Sequence, residues 1–485
     1  MATKIRLISC AALAVPFFFL AACGGGGGGA PNPPPVVPPT TDTKAPEVVL
    51  ADVRPSSGAT GVERDATIVV PFDEELACGA PVIGLFGEVN GTLTCENVGG
   101  KGKLSLKPTT SLNPDVVYPF TVVATDRAGN RSNPYTGSFR VRPLRALDAK
   151  AYVGTVPNTD GSDAVSVINL ATGAVKSIGF PAVPGFGPLY SVVVDPVTAR
   201  AYFAGWGAAK LYAVDIETDT PLPTIPIDAV QSVIHVSYGL TLTESDFCVV
   251  LSASFPVGAS ENRLQCWDRY SLALTYTGTN HSLADTSMIT TGVRFVTQPA
   301  KKLYVINALR RTVDGGTPTA GTPGTLAVLN PTTYAVERTI PVGATPRDFA
   351  VDPVTGLIWV ANAGDKTVSI VNPANGQVET MVLTSFVSNQ APRGITIDRA
   401  KDRVYITDWQ YSVYIYRLST REEITRVNAG AGAYLTSIVG NDLWVLFGDG
   451  SMVAINRDTL TVQRTVTLRA NSSPNSLATY GGNSQ

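Results

Sequence analysis

The chain has 485 residues, including 45 glycines and 35 prolines, and only 16% of its residues are charged. This length suggests two or more domains, and the composition favours an exported protein rich in β-structure. The formal net charge is −2, so the chain lacks the basic field that recruits nucleic acid, and we expect no nucleic-acid partner.

The first 22 residues have the pattern of a secretory signal. Lys4 and Arg6 precede an apolar run at 7–20 that is too short to span a membrane. The run ends in Leu-Ala-Ala directly before Cys23, which resembles the lipobox of bacterial lipoproteins, where the chain is cut before the cysteine and its thiol is diacylated. We predict a signal peptide at 1–22 and lipidation of Cys23. The alternative is an ordinary signal peptide followed by a chance cysteine.

Residues 23–44 have the composition of a linker. Six consecutive glycines at 24–29 are followed by a proline-rich run at 31–39, which predicts a flexible joint and then a stiff, extended spacer. Such a segment holds folded domains away from a bilayer. By the sorting rule of enteric lipoproteins, Gly24 after the lipid-bearing cysteine indicates the outer membrane. Which side of that membrane the protein faces is left open.

The cysteines fit an oxidising compartment. Of the six, Cys10 leaves with the signal and Cys23 takes lipid. The other four form two pairs that are close in sequence, and we predict one disulfide within each pair. The predicted disulfides are Cys78–Cys95 and Cys248–Cys266.

Residues 45–143 contain short strand candidates separated by turn residues, which predicts an immunoglobulin-like β-sandwich. The segment resembles the bacterial Ig-like domain of surface-layer and adhesin proteins through the Pro-x-x-Gly-Ala-x-Gly-Val run at 55–62, the Phe-Asp-Glu run at 72–74 and the Asp-x-x-Gly-Asn turn at 126–130. Asp126 and Asn130 are read as holding their own turn rather than calcium.

Residues 147–482 contain an internal repeat of about 40–45 residues with four strand candidates in each unit, which is the period of a β-propeller blade. The second strands of seven units begin near Lys150, Ala199, Asp246, Lys302, Gly356, Asp402 and Asn441. The first unit lacks an opening strand, whereas a spare strand candidate follows the last unit at 473–480. We predict that this C-terminal strand completes the first blade and leaves no open edge.

The repeat resembles the YVTN family of seven-bladed propellers. The resemblance is carried by Leu-Tyr-Val-Ile-Asn at 303–307, Trp-Val-Ala-Asn at 359–362 and Ala-Val-Ser-Val-Ile-Asn at 164–169. The third unit departs most, at 231–239, and it carries Cys248 and Cys266 on opposed strands. The predicted fold class is therefore all-β, with an immunoglobulin-like β-sandwich followed by a seven-bladed β-propeller.

Residues for catalysis are scarce. The chain has two histidines and no nucleophile elbow, P-loop or dinucleotide-binding fingerprint. We therefore expect no catalytic residues, no metal and no cofactor. The alternative is a propeller hydrolase of the lactonase type, with a metal ion in the central channel.

The loops at one mouth of a propeller offer aromatic and charged residues. The predicted function is that of a cell-envelope lipoprotein that binds or scaffolds a protein, peptide or glycan on this face. For each of these residues, the alternative is that it recurs at one position of the repeat because it stabilises the fold of the unit, and not because it binds a ligand. The candidate ligand-binding residues are Trp206, Arg310, Arg311, Arg347, Asp365, Arg393, Trp409 and Tyr411.

Overall fold

The chain divides into two units, Met1–Lys44 and Ala45–Gln485, and each is described by itself. The predicted signal peptide, Cys23 and nearly all of the linker lie outside the described residues. No helix in the described part of the chain is long and apolar enough to cross a membrane. The computed structural model describes residues 42–79, 83–85, 89, 91–156, 164–180, 187–205, 210–227, 234–255, 262–278, 288–297, 300–309, 323–387, 389–428, 430, 432–468, 474 and 476–481.

Residues 45–141 form a two-sheet β-sandwich. One sheet has the order β1-β7-β6-β3 and the other the order β2-β5-β4. Apolar side chains from both sheets form one core around Phe72, Phe120 and Phe139, because alternate residues of each strand face inward. The elements are a 3-10 helix at Leu50–Asp52 and the strands β1 (Ala59–Val62), β2 (Ile68–Pro71), β3 (Ile83–Leu85), β4 (Gly91–Val98), β5 (Lys101–Pro108), β6 (Val117–Val123) and β7 (Tyr135–Val141).

In the sandwich, the predicted disulfide is confirmed, and the turn at 126–130 has the side-chain hydrogen bonds that were predicted. Cys78 and Cys95 form a disulfide with their Cα atoms 5.4 Å apart. The Asp126 carboxylate accepts hydrogen bonds from the backbone N–H (2.8 Å) and the side-chain amide (2.7 Å) of Asn130. Gly129 has a φ of +95°, which a glycine adopts without strain. The aspartate therefore holds its own turn.

The rest of the described chain consists of strands and one 3-10 helix, Arg399–Lys401, with no α-helix among the described residues. The strands are β8 (Lys150–Gly154), β9 (Val165–Asn169), β10 (Val175–Ile178), β11 (Leu189–Asp195), β12 (Arg200–Gly205), β13 (Lys210–Asp215), β14 (Thr220–Pro226), β15 (Ile234–Leu242), β16 (Asp246–Phe255), β17 (Asn262–Asp268), β18 (Leu274–Thr277), β19 (Met288–Val296), β20 (Lys302–Leu309), β21 (Pro323–Leu329), β22 (Val336–Ala344), β23 (Pro346–Val351), β24 (Ile358–Asn362), β25 (Thr367–Val371), β26 (Val378–Val382), β27 (Pro392–Asp398), β28 (Arg403–Asp408), β29 (Ser412–Arg417), β30 (Glu423–Asn428), β31 (Ala433–Val439), β32 (Asp442–Phe447), β33 (Ser451–Asn456), β34 (Val462–Thr467) and β35 (Ser476–Tyr480).

These strands form seven four-stranded antiparallel sheets, which we number 1 to 7. Sheet 1 has the order β10-β9-β8-β35, so the last strand of the chain completes the first sheet. Its register pairs Ser476 with Gly154 and Tyr480 with Lys150. Sheets 2 to 7 each contain four consecutive strands, and they are β11 to β14, β15 to β18, β19 to β22, β23 to β26, β27 to β30 and β31 to β34.

The seven sheets contact one another in a closed series. We call β35, β11, β15, β19, β23, β27 and β31 the inner strands. Each inner strand contacts the inner strand of the next sheet, and β31 contacts β35 again. This arrangement is consistent with a β-propeller.

Apolar side chains fill the spaces between neighbouring sheets, since a four-stranded sheet cannot bury both faces alone. Trp359 of sheet 5 packs in one cluster with Ile395 of sheet 6. Trp444 of sheet 7 packs with Val153 of sheet 1. Each tryptophan is only 2% exposed, so both pack between sheets.

The second predicted disulfide joins Cys248 and Cys266 within sheet 3. The two residues are paired directly across β16 and β17, and their Cα atoms are 4.1 Å apart. The even spacing of the two cysteines about their loop predicted this opposed register.

Two buried ion pairs join neighbouring sheets. Asp195, at the end of β11, accepts hydrogen bonds from both Nε and Nη2 of Arg269 in sheet 3. Asp398, at the end of β27, accepts them from Nε (2.7 Å) and Nη2 (2.5 Å) of Arg457 in sheet 7. Two parallel N–H···O bonds fix the relative orientation of the groups as well as pairing their charges.

The sandwich packs against sheets 2 and 3. Arg64 of the sandwich forms ion pairs with Asp215 (2.8 Å), the last residue of the third strand of sheet 2, and with Glu217 (2.9 Å) in the turn after it. The Asn113 side-chain amide donates a hydrogen bond to the carbonyl oxygen of Tyr270 (3.2 Å). Arg64 is only 4% exposed, so this contact is a buried part of the fold.

The register of sheet 2 shows which end of the inner strands the sandwich approaches. Asp215 is paired with Arg200, and Arg200 with Asp195, the last residue of β11. Tyr190, near the start of β11, lies five residues earlier, which is about 17 Å along a strand. The sandwich therefore contacts the end of sheet 2 opposite to the start of its inner strand.

Candidate functional site

The same irregularity recurs near the start of six inner strands. In each, the pairing with the second strand shifts register: from the second residue in β11, β23, β27 and β31, at the fourth residue in β19, and at the fifth in β15. A β-bulge of this kind re-aims a side chain, and bulges are frequent beside functional sites. Because the inner strands contact one another in a closed series, these residues form a ring. We call them the bulge ring, and they are Tyr190, Tyr238, Thr291, Arg347, Arg393 and Tyr434.

Arg393 of sheet 6 packs against two neighbouring aromatic rings. Its guanidinium carbon lies 3.8 Å from the ring centroid of Tyr434 in sheet 7 and 4.2 Å from that of Trp409. The centroids of the two rings are 5.6 Å apart. Cation–π contacts of this geometry stabilise by about 0.5–2 kcal/mol each, depending on how far they are desolvated. Arg393 is therefore positioned by its neighbours rather than mobile in solvent.

Tyr434 has space for this contact because a glycine lies beside it. A β-carbon at Gly448 would lie 2.6 Å from the Tyr434 hydroxyl oxygen, which is closer than van der Waals contact allows. Glycine at 448 thus lets the phenol ring lie against the loop after β32, where its face meets Arg393.

Burial, together with the smaller effect of the positive charge of Arg347, lowers the pKa of Arg393 to about 10. Tyr434 and Tyr190 act in the opposite direction. Tyr190 belongs to sheet 2, which the closed series separates from sheet 6 by two other sheets. The Arg393 guanidinium therefore interacts across the opening that the inner strands surround.

No hydrogen bond or ion pair joins the Arg393 guanidinium to a carboxylate among the described residues. The nearest inner-strand carboxylate in sequence to Arg347 is Asp348, and its oxygens are occupied. They accept hydrogen bonds from Arg294 Nη2 (3.0 Å) and from the backbone N–H of Ile395 (3.1 Å). Asp348 thus links three neighbouring inner strands and leaves the charge of Arg393 without an acidic partner in this part of the structure.

Exposed apolar and aromatic side chains lie in the two loops next to Arg393, the loop before β27 and the loop after β28. Trp409 is 52% exposed, Tyr411 56% and Val387 58%. The loops that carry them are joined by a hydrogen bond from the backbone N–H of Trp409 to the carbonyl oxygen of Ala391 (3.3 Å). The Asp408 carboxylate accepts the backbone N–H of Tyr411 (2.7 Å) and fixes the turn. We call Val387, Trp409 and Tyr411 the rim.

Asp365 has a local role in its turn. One carboxylate oxygen accepts the backbone N–H of Ala344 (2.8 Å), and the other accepts the hydroxyl of Thr367 (2.7 Å). This geometry fits the alternative that a recurring position builds the repeat, and ligand binding by Asp365 stays a prediction. Three further candidates, Trp206, Arg310 and Arg311, lie outside the described residues.

The sequence reasoning singled out Arg347, Arg393, Trp409 and Tyr411, and the structure places Arg393 against Trp409 and near Arg347. It missed Tyr190 and Tyr434. The sequence does indicate these two tyrosines, since each is the second residue of its inner strand, as Arg347 and Arg393 are. Aligning all units on that position would have found them.

Metal-ligating side chains do not gather near the bulge ring. In the described residues from 147 to 481, no three histidine, cysteine, aspartate or glutamate side chains lie close enough together to share an ion. The aspartates that end β11 and β27 are instead paired with Arg269 and Arg457.

Comparisons with known proteins concern the sandwich and the fold. Residues 42–141 match the family model of the bacterial Ig-like domain, which confirms the Ig-like prediction for the N-terminal domain. No curated protein matches the sequence.

Solved structures similar to the chain are β-rich proteins of low identity. A functionally unknown protein from Desulfotomaculum acetoxidans is 11% identical with a TM-score of 0.51, over 70% of this chain and all of that one. Apo AztD from Citrobacter koseri is 10% identical with a TM-score of 0.46, over 70% and 100% of the two chains. Hydrazine synthase from Kuenenia stuttgartiensis is 13% identical with a TM-score of 0.47, over 66% and 96%. The first shows a likeness of fold alone, and the other two scores are too low to support an inference.

Proposed function

We propose that the protein is a lipid-anchored cell-envelope lipoprotein whose C-terminal domain is a seven-bladed, YVTN-type β-propeller that docks a partner at the bulge ring. The partner is an envelope protein, peptide or glycan. The observation that supports the proposal is the packing of Arg393 against the rings of both Trp409 and Tyr434, with no acidic partner among the described residues. The proposed role is binding or scaffolding rather than catalysis.

The propeller assignment is supported by the number and connection of the sheets. Seven four-stranded sheets follow one another along the chain, and β35 completes the first of them. The closed series of inner-strand contacts supports a radial arrangement, in which blades bury one another's faces and only short edges remain.

Docking at the bulge ring is supported by its residue types. Tryptophan, tyrosine and arginine are the residues most enriched at the energetic centres of protein interfaces. Here they lie at the starts of rigid strands and in the short loops beside them, and loops on a rigid scaffold commonly carry binding function.

The position of the sandwich supports a display role. Arg64 attaches it to the end of sheet 2 opposite the start of β11, so the sandwich leaves the bulge ring uncovered at that sheet. In the proposed arrangement, lipid on Cys23 holds the N-terminal linker at the outer membrane, and the sandwich spaces the docking face from it.

We expect the Cys23→Ser variant to move from the membrane fraction to the soluble fraction. Several acyl chains together give stable anchoring, whereas removal of the acylated thiol leaves no lipid on the mature chain. The measurement is the share of protein in each fraction after cell lysis and centrifugation. Cys10→Ser is the matched control, because it changes a cysteine within the predicted signal, and it should stay membrane-bound. Retention of the Cys23→Ser variant in membranes would refute the anchor.

A photo-crosslinking amino acid placed at two exposed positions tests the docking face. We expect replacement of Tyr411 by p-benzoylphenylalanine to give a discrete adduct in intact cells, identified by mass spectrometry. The control is the same replacement at Val354, which is 65% exposed and lies in the turn after β23, at the opposite end of its sheet. Equal adducts from both positions, or none from position 411, would contradict the docking proposal.

A further inference from the structure

The Arg393 guanidinium has no carboxylate partner among the described residues. Arg393 has five N–H donors, and the two aromatic faces that contact it offer no conventional acceptor. None of these N–H groups forms a hydrogen bond with a described residue. A guanidinium in this situation is prepared for a planar, two-oxygen ligand, because carboxylates accept two parallel N–H bonds from arginine.

A second positive charge lies close to the first. Arg347 occupies the same strand position in sheet 5, and its charge disfavours the charged form of Arg393. Positive charges at the same position of neighbouring strands raise the local potential, which attracts anions. The Tyr190 side chain, from the other side of the opening, also interacts with Arg393. The charge pattern therefore complements an anion at the centre of the ring.

The position of these groups limits how an anion reaches them. Arg393 lies near the start of one inner strand and contacts Tyr434 near the start of the next, so its guanidinium lies where neighbouring inner strands begin. A chain end reaches such a point more readily than the middle of a folded segment. Beside it, the rim offers exposed apolar surface in Val387, Trp409 and Tyr411. One ligand that presents a terminal anion next to an apolar side chain fits both features.

We infer that the bulge ring binds the C-terminal carboxylate of a peptide or protein chain, through Arg393 with Arg347 beside it, while the last side chain of that partner packs on the rim. This inference rests on the proposed docking function and names the group that is recognised. It favours a peptide over an acidic glycan because the rim is apolar, whereas sugar rings carry hydroxyl groups that call for many hydrogen-bonding partners.

Calorimetric titration of the full-length protein in detergent tests the inference with defined probes. The probes are the tripeptide N-acetyl-Gly-Ala-Phe with a free carboxylate, the same peptide with a C-terminal amide, and trigalacturonate as an acidic sugar. We expect the free acid to bind and the amide to bind at least about tenfold more weakly, because amidation removes the charge and one acceptor oxygen.

Variants identify the groups responsible. Arg393→Gln should weaken binding of the free acid at least about tenfold, and Arg393→Lys should fall between it and the original protein, since lysine keeps the charge but not the two-pronged geometry. The matched control is Arg399→Gln, which removes an arginine directly after the other end of β27 and should leave the affinity unchanged. Unchanged melting temperatures of the variants establish that they are folded.

Three results would overturn the inference. They are equal affinity for acid and amide, unchanged affinity in Arg393→Gln, and tighter binding of trigalacturonate than of the free-acid peptide. The docking proposal is separable from it. If position 411 still gives its specific crosslink while acid and amide bind alike, only the carboxylate assignment fails. If position 411 gives no specific crosslink either, both the carboxylate assignment and the docking function fail.

Discussion

Deletion of residues 476–485 is expected to destabilise the C-terminal domain by on the order of 5 kcal/mol and to make it prone to aggregate. The deletion removes β35, which is paired with β8 at five positions, and each lost backbone hydrogen bond contributes about 1 kcal/mol. It also exposes the edge of β8, and an open strand edge is a template for pairing with other chains. Urea unfolding followed by tryptophan fluorescence measures the free energy of unfolding, and light scattering measures aggregation.

A shorter deletion provides the control. Removal of residues 481–485 leaves β35 in place and should change the free energy of unfolding by less than about 0.5 kcal/mol. If the two deletions have the same stability, β35 does not complete sheet 1 in the folded protein.

Replacement of Asp398 by alanine is expected to cost about 3–5 kcal/mol of folding free energy, because it leaves the charge of Arg457 buried without its partner. Asp398 is 2% exposed and Arg457 8%. The Tyr405 hydroxyl also loses its acceptor, at 3.1 Å. Urea unfolding again provides the measurement.

Two further variants test whether the loss of folding free energy comes from the unpaired buried charge. Asp458→Ala removes an exposed carboxylate that pairs with Lys401 and should cost at most about 1 kcal/mol. The double variant Asp398→Leu/Arg457→Met removes both charges and should recover much of the loss, since apolar residues of similar volume often replace a buried ion pair at little cost. A double variant as unstable as Asp398→Ala would show that the unpaired charge is not the cause.

Much of the strand pattern is local, and the sequence therefore predicts it. The strands and turns of each repeat unit lie within about 45 consecutive residues. The closing strand was also predictable, because the first unit lacks an opening strand, whereas the strand candidate at 473–480 is one more than the last unit needs. The register of Cys248 with Cys266 follows from equal spacing about one loop.

The candidate site is less local and was predicted only in part. Arg393 was found from its position in one unit, but its contacts come from Tyr434, in the next sheet, and from Tyr190, about 200 residues earlier in the chain. Such pairings depend on how sheets face one another, and a bulge decides which way each side chain points. Neither the way in which the sheets face one another nor the effect of a bulge can be predicted from the strand pattern of a single unit.

The packing of the sandwich was not predicted for the same reason. The ion pairs of Arg64 with Asp215 and Glu217 join residues about 150 positions apart. Each of these residues has an ordinary local context for a turn or strand end. Only the folded arrangement brings the three charges together.

Closure of the chain at β35 completes the ring of inner strands around the proposed docking site, because β35 contacts both β11 and β31. The direct measurement is disulfide formation in the double variant Lys150→Cys/Tyr480→Cys, whose residues are paired between β8 and β35. Opposed residues on antiparallel strands have Cβ atoms about 4.5–5.5 Å apart, whereas a shift of two residues places them about 7–8 Å apart. We predict that proteolytic peptides containing positions 150 and 480 are recovered joined by a disulfide. The control variant Lys150→Cys/Ala478→Cys should give little of the corresponding product. No link in the first variant, or equal yields from both, would contradict closure of the chain at β35.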